Sequence, residues 1–345
     1  MSTDHRPEAR IGWIAECLRR SLRFEQSGAG ERTAAARFVA PSVLQGPRDV
    51  THGGAVAALL VEAARRHALE AGRGDLLARA IEADISLNKE LRVDTDVGVV
   101  SERNADDEFA VRVERGDGQV IATARVRVAA SEVRDEGEGR EALAVLQADS
   151  RAPALNPAPQ PHPSGAPSRG GDPGRFSDEV PGTVMCLACG LHNPVGLRLR
   201  FRVHSDFVWR RLHPPLQFCD ASGALFHAFA SVALDEIGWW LGALRFGGCG
   251  LTTRLELAWD PAAAESRDSR EPLFVAGARR ATERADARGR YWTSRASLLA
   301  PNGRTVASAR VLFAGSHAYT RAMLEDLAAG SDRAAVTRIF PSLVV

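Results

Sequence analysis

Apolar residues recur at two different spacings along this chain, and the switch between the two spacings predicts its elements. Ile11, Ile14, Leu18 and Leu22 stand at helical intervals with Arg19, Arg20 and Arg23 outside the stripe, which predicts an amphipathic helix over 7–24. Residues 33–39 read as a first strand. A buried helix is expected over 53–71, where Val56, Leu59, Leu60 and Ala63 fall at i, i+3, i+4 and i+7 and Gly72 supplies the stop. Ile81, Ala83, Ile85 and Leu87 alternate with polar residues, as in a half-buried strand. Strands at 97–101, 109–114 and 120–128 follow, the last after an Asp117-Gly118 turn. One long helix followed by antiparallel strands is an α+β layer arrangement.

The pattern then breaks and returns. Residues 132–139 are charged and poor in apolar side chains, and 153–181 hold eight of the chain's eighteen prolines. Such a stretch cannot bury enough surface to offset its ordering entropy, so 132–181 reads as a linker with at most a short helix at 141–146. Shortening it is expected to leave chemistry intact. Beyond it come a strand at 197–203, a loop, an apolar helix over 226–244, and strands at 251–259, 273–277, 292–299 and 305–313. Asp117-Gly118-Gln119-Val120-Ile121-Ala122-Thr123-Ala124-Arg125-Val126 aligns with Asn302-Gly303-Arg304-Thr305-Val306-Ala307-Ser308-Ala309-Arg310-Val311 at an offset of 185. One fold is therefore expected twice. The division is an N-terminal helix (1–30), a first domain (31–131), the linker (132–181), a second domain (182–316) and a helical tail (317–345).

Bulk composition narrows the function. A net charge of +1 gives no footprint for nucleic acid or an anionic membrane surface, and no apolar run is long enough for a membrane span. The N-terminus lacks the order of a signal peptide, and five cysteines in 345 residues make no disulfide framework, so a reducing cytoplasm is expected. Lys89 is the only lysine, which argues against a Schiff-base enzyme or a phosphate-binding P-loop. No Gly-x-Ser-x-Gly elbow occurs. Cys186-x-x-Cys189 is half of a zinc pattern with no second pair, since Cys219 and Cys249 stand apart; no metal and no cofactor are expected. Arg279, Arg280 and Arg284 read as a solvated loop rather than a phosphate site.

The chemistry points to one stretch, Thr51-His52-Gly53-Gly54, at the start of the first buried helix. Glycines let another group approach the backbone, the first N–H groups of a helix lack intrahelical acceptors, and the dipole there favours negative charge. This is a place to bind an oxyanion. His-Gly-Gly before a helix of small apolar residues resembles the opening of the central helix in hotdog-fold thioesterases. The segment Cys186-Leu187-Ala188-Cys189-Gly190-Leu191-His192-Asn193-Pro194-Val195-Gly196-Leu197 resembles the one that opens many phenylacetyl-CoA-thioesterase-like members. Ala233-Leu234-Asp235-Glu236-Ile237-Gly238-Trp239 and Leu251-Thr252-Thr253-Arg254-Leu255-Glu256-Leu257 are similar to their central-helix motif and the strand after it.

That resemblance implies two tandem hotdog domains, each an antiparallel sheet wrapped around a helix, paired as a pseudo-dimer. In the family an acid follows the His by nine positions, and each site takes its glycine from one unit and its acid from the other. Here the ninth residue after His52 is Val61, whereas Asp235 stands nine residues after Phe226. Each half keeps a different part of the motif, which implies a single composite site. Gly53, helped by Gly54, would stabilise the oxyanion of a thioester, and Asp235 would act as base or nucleophile. Thr253 would orient the water, or Thr252 if the strand register slips by one. His52 would shape the turn, and Glu62 and Glu236, one step round their helices, are read as structural. The implied substrate is an acyl-CoA or an acyl-carrier protein, and the implied assembly a homo-oligomer of double hotdogs. A hotdog hydratase or dehydratase and a non-catalytic acyl-binding protein are the alternatives.

Overall fold

The computed structural model describes residues 11–24, 32–105, 107–129, 133, 138–148, 179–204, 206–265, 271–331 and 333–340. Six strands come from the first half: β1 (Arg23–Phe24), β2 (Thr33–Val39), β3 (Ile81–Leu87), β4 (Asp96–Ala105), β5 (Glu108–Glu114) and β6 (Val120–Val128). Seven come from the second: β7 (Arg202–His204), β8 (Phe207–Leu212), β9 (Gly250–Trp259), β10 (Leu273–Ala278), β11 (Glu283–Arg284), β12 (Tyr291–Leu299) and β13 (Thr305–Gly315). They form one antiparallel sheet in the order β1-β2-β4-β5-β6-β3-β9-β13-β12-β10-β8-β7, with β11 on β12. The halves meet at β3 and β9, where Ile81, Ala83 and Ile85 stand opposite Trp259, Leu257 and Leu255. Arg254 crosses that junction to Asp84 through two hydrogen bonds of 2.8 and 2.7 Å. The pair is exposed and adds little to stability beyond fixing register.

Helix α1 (Trp13–Ser21) precedes the sheet, and each half wraps around one long helix: α2 (Gly53–Glu70) against β3–β6, and α4 (His227–Phe246) against β8, β9, β10, β12 and β13. Both helices are buried nearly all round, as their small and apolar residues require. Each ends at a glycine in the left-handed region, Gly72 (φ 77°) and Gly247 (φ 68°), where a side chain would strain the backbone. The two helices also pack on each other. A Cβ on Gly54 would sit 2.6 Å from the Val232 Cα, so the crossing depends on the absence of a side chain there.

Several elements differ from the sequence expectation. Residues 197–203 are not a strand over their length: Leu197 and Leu199 donate their N–H groups to the carbonyls of Leu187 and Ala188, folding the segment onto its own turn, and only β7 joins the sheet. Asn193, buried, ties that turn to the first half by donating to the Val43 carbonyl at 2.8 Å, and the Leu187 N–H donates to the Gln45 carbonyl at 2.7 Å. Strand β8 lies where a loop was expected, because Phe207, Val208 and Trp209 are all buried and leave no alternation to read. The short helix allowed at 141–146 within the linker is longer, α3 (Glu138–Ala148), and its Ala142 packs with Phe207, Trp209, Ala276 and Ala278. Leu273 and Val275, of opposite parity on β10, join the main core instead, so α3 covers the sheet face opposite α4. The expectation for 149–178 lies outside the described residues.

A short helix α5 (Pro261–Glu265) follows β9, and the tail forms α6 (His317–Gly330) and α7 (Arg333–Ile339). No helix among the described residues is long and apolar enough to cross a membrane.

Candidate active site

The two ends of the split motif meet. His52 is the N-cap of α2, Gly53 its first residue, and Asp235 lies in the third turn of α4. The Gly54 N–H donates to Asp235 Oδ2 at 2.9 Å, and the Thr252 hydroxyl of β9 donates to Asp235 Oδ1 at 2.8 Å. Asp235 is only 4% exposed. Burial pushes its carboxyl above the ordinary carboxylate range, while the neighbouring His52 and the two hydrogen bonds pull it part of the way back. A raised pKa makes a stronger base of the ionised form.

Gly53 faces the same space. A Cβ there would fall 2.9 Å from both Asp235 Oδ2 and Thr252 Oγ1, so only glycine leaves room for the carboxylate. Its N–H is the first of the helix and by position has no intrahelical acceptor. Gly54 plays a different part from the one expected. Its N–H is turned to Asp235 and, at 3.1 Å, to His52 Nδ1, and is not available to an oxyanion.

Thr253 and Thr252 both line the cavity, but their hydroxyls diverge. Thr253 donates to the Leu312 carbonyl at 3.1 Å and does not reach Asp235. The cause is a bulge between β9 and β13: Leu312 pairs with Arg254 and Phe313 with Thr252, leaving Thr253 as the extra residue. Thr252→Ala is therefore expected to lower kcat about tenfold by freeing the Asp235 carboxylate. Thr253→Ala should stay close to wild type. Steady-state kinetics showing the reverse order would remove Thr252 from the site.

His52 is held on both sides. Nδ1 lies 3.4 Å from Asp235 Oδ2, and Nε2 lies 3.4 Å from Glu236 Oε2. Burial lowers its pKa, yet hydrogen bonds to Cys186 and Glu236, with the charges of Cys186 and Asp235, outweigh that and hold it well above the ordinary value. Cys186, in turn, is held down at about 6 by a hydrogen bond from Cys189, against burial and with help from His52.

The cavity over this constellation has a volume of about 450 Å³. Val56, Trp239 and Phe313 supply apolar wall, and Tyr319 and Met323 of α6 close one side. The tail's contribution was not readable from sequence, since a helix outside the repeated pattern carries no sign of where it docks. Lys89, Arg92 and Arg115 line the exposed end. Arg280 and Arg284 lie elsewhere, Arg280 on Glu141 and Asp206, and Arg284 over the Phe246 ring.

The corresponding place in the other half is differently filled. Phe226, the N-cap of α4, packs on His227, and Arg19 lies over its ring. Val61 stands where Asp235 does, and buried Glu62 pairs with Arg19 at 2.9 Å.

No protein-family model and no curated protein matches the chain. Among solved structures it is similar to the dehydratase domain from the CurF module of the curacin polyketide synthase, with TM-score 0.52 and 8% identity over 89% of this chain and 100% of that one. A protein with a hot dog fold from Alicyclobacillus acidocaldarius aligns with TM-score 0.49 and 13% identity over 87% and 97% of the two chains. The 12:0-ACP thioesterase from Umbellularia californica aligns with TM-score 0.45 and 13% identity over 84% and 98%. Identities this low speak for the fold alone. Two antiparallel half-sheets, each curled around one long helix, and the likeness to the CurF domain over nearly the whole chain make this a hotdog-fold protein.

Proposed function

We propose that the chain hydrolyses acyl thioesters at one composite site between two hotdog repeats, the first supplying Gly53 and the second Asp235 and Thr252. The observation that carries this reading is the position of the Asp235 carboxylate, held by Gly54 and Thr252 directly beside the start of α2. A thioester carbonyl placed on the Gly53 N–H would develop its negative charge at a helix N-terminus in a site shielded from water, where one donor is worth about 3 kcal/mol of barrier. Asp235 takes a proton from water as that water attacks the carbonyl carbon. The tetrahedral oxyanion collapses, the C–S bond breaks, and the leaving thiolate takes the proton held by Asp235, giving an acid and a free thiol and restoring the carboxylate. Asp235 Oδ1 accepts one hydrogen bond within the protein, from Thr252, and keeps a lone pair for the water.

The occupied second place supports one site rather than two. The three cations at the cavity's exposed end suit the phosphates of coenzyme A. Replacing Lys89 and Arg92 together by Ala is expected to raise KM for an acyl-CoA several-fold with kcat little changed, and to leave a phosphate-free pantetheine thioester unaffected. An equal change for both substrates would place the coenzyme elsewhere.

A dehydratase reading has one observation in its favour, the approach of His52 Nδ1 to Asp235, in a fold shared with the CurF dehydratase domain. Against it, both ring nitrogens of His52 already face protein groups, which leaves neither for a substrate proton. Free thiol release from a panel of acyl-CoAs tests the main reading directly. Enoyl product from a 3-hydroxyacyl thioester without thiol release would replace it by the second, and binding without turnover of either kind would leave an acyl-binding protein.

A further inference from the structure

His52 Nε2, Cys186 Sγ and a Glu236 carboxylate oxygen converge from three separate segments, the cap of α2, the turn that opens the second half, and α4; all three residues are buried and the donor atoms lie within 4.8 Å of one another. We propose that this cluster is a metal site for a zinc-class divalent cation, joining the two halves in the wall of the acyl cavity.

Spacing is the first argument. The Nε2–Oε2 distance is 3.4 Å and the Sγ–Oε2 distance 4.0 Å, both long for charge-assisted hydrogen bonds. Ligands at 2.0–2.3 Å from a tetrahedral zinc stand about 3.3–3.8 Å apart. The first distance falls in that range and the second just above it, so both are near ligand spacing and long for hydrogen bonds. The donor set is the second argument: an imidazole, a thiol and a carboxylate together fit zinc rather than magnesium or calcium, which take oxygen. Burying them with nothing between is costly, and a cation removes that cost.

The surroundings are those that ligands need. Glu236 Oε1 accepts the Trp240 indole N–H at 3.1 Å, which leaves Oε2 for the ion. With its proton on Nδ1, 3.4 Å from Asp235 Oδ2, His52 leaves Nε2 to ligate, and the Gly54 N–H then donates to Asp235 Oδ2 alone. The Ala188 N–H points at Cys186 Sγ at 3.4 Å, in a turn closed by the Gly190 N–H on the Cys186 carbonyl at 2.8 Å. The three protein donors leave a fourth position of a tetrahedral ion open to the cavity that they line. Cys186 stood in half a pattern in sequence because its fellow donors are a His 134 residues earlier and a Glu 50 residues later, neither on a cysteine pair.

The site lies on the far side of the imidazole from Asp235. Its ion would tie the opening turn of the second half to the start of α2, at the wall of the acyl cavity that His52, Cys186 and Glu236 also line.

The test uses the full chain, without a histidine tag, purified from zinc-supplemented culture. Elemental analysis is expected to find about one zinc per chain in the wild type and in Cys17→Ser, and less than about a quarter of that in Cys186→Ser and Glu236→Gln. Cobalt(II) added to the metal-free wild type should develop a thiolate-to-cobalt absorption band that saturates near one equivalent and is abolished by zinc. Zinc should also raise the wild-type Tm by several degrees and leave that of Cys186→Ser unmoved. The proposal is overturned if wild-type protein carries only background zinc and cobalt gives no thiolate band. It is equally overturned if Cys186→Ser binds as much metal as wild type, or if the two thiols only oxidise to a disulfide and take up no ion. Hydrolytic activity enters none of these readouts, so the metal site and the thioesterase reading fail separately.

Discussion

Asp235→Asn is expected to lower turnover of an acyl-CoA at least about 10²-fold, near 3 kcal/mol of barrier, with substrate binding retained. The change keeps the volume and lets the amide oxygen accept from Gly54 or Thr252, so the helix crossing should survive. What goes is the charge that draws a proton from water. Glu62→Gln is the matched control, since Glu62 is buried on the companion helix but serves Arg19. Its effect on turnover should stay within a few-fold, although loss of the ion pair lowers stability. Thiol-release kinetics with a binding measurement on the same acyl-CoA separates the outcomes. If the two variants lose activity equally, neither carboxylate is acting as the base and the composite site is wrong.

Gly54→Ala should be strongly destabilising. The added Cβ would meet the Val232 Cα at 2.6 Å and the Ser231 carbonyl carbon at 2.7 Å, both backbone atoms in the second turn of α4. Neither can swing aside as a side-chain tip can, so the helices must separate. Overpacking of this kind costs about 1–3 kcal/mol, enough to lower Tm by several degrees. The same separation draws the Gly54 N–H away from Asp235, so activity should fall along with stability. Gly74→Ala is the comparison, because a Cβ there has only the end of the Leu69 side chain near it, at 3.7 Å. Thermal unfolding that finds Gly54→Ala as stable as wild type would mean that the helices do not cross so closely.

Local pattern by itself was enough to determine much of this protein. Helical period at Val56, Leu59 and Leu60 placed α2, and alternation at Ile81, Ala83 and Ile85 placed β3, because burial of one face leaves a mark on neighbouring residues wherever the element packs. The residues around His52 and Asp235 marked the candidate site for a related reason: glycine at a helix start and an acid in an apolar helix are both unfavourable locally and call for a partner. Tertiary structure alone decided which partner each one has. Thr252 rather than Thr253 reaches Asp235 because a bulge against β13 shifts the strand by one residue, and a strand does not record its neighbour's irregularities. The Gly54 N–H goes to Asp235, leaving Gly53 to face the cavity, because α4 crosses at that point. Cys186, His52 and Glu236 meet for the same reason. Their convergence is set by where three distant segments dock, and spacing along the chain reports only contacts within one element.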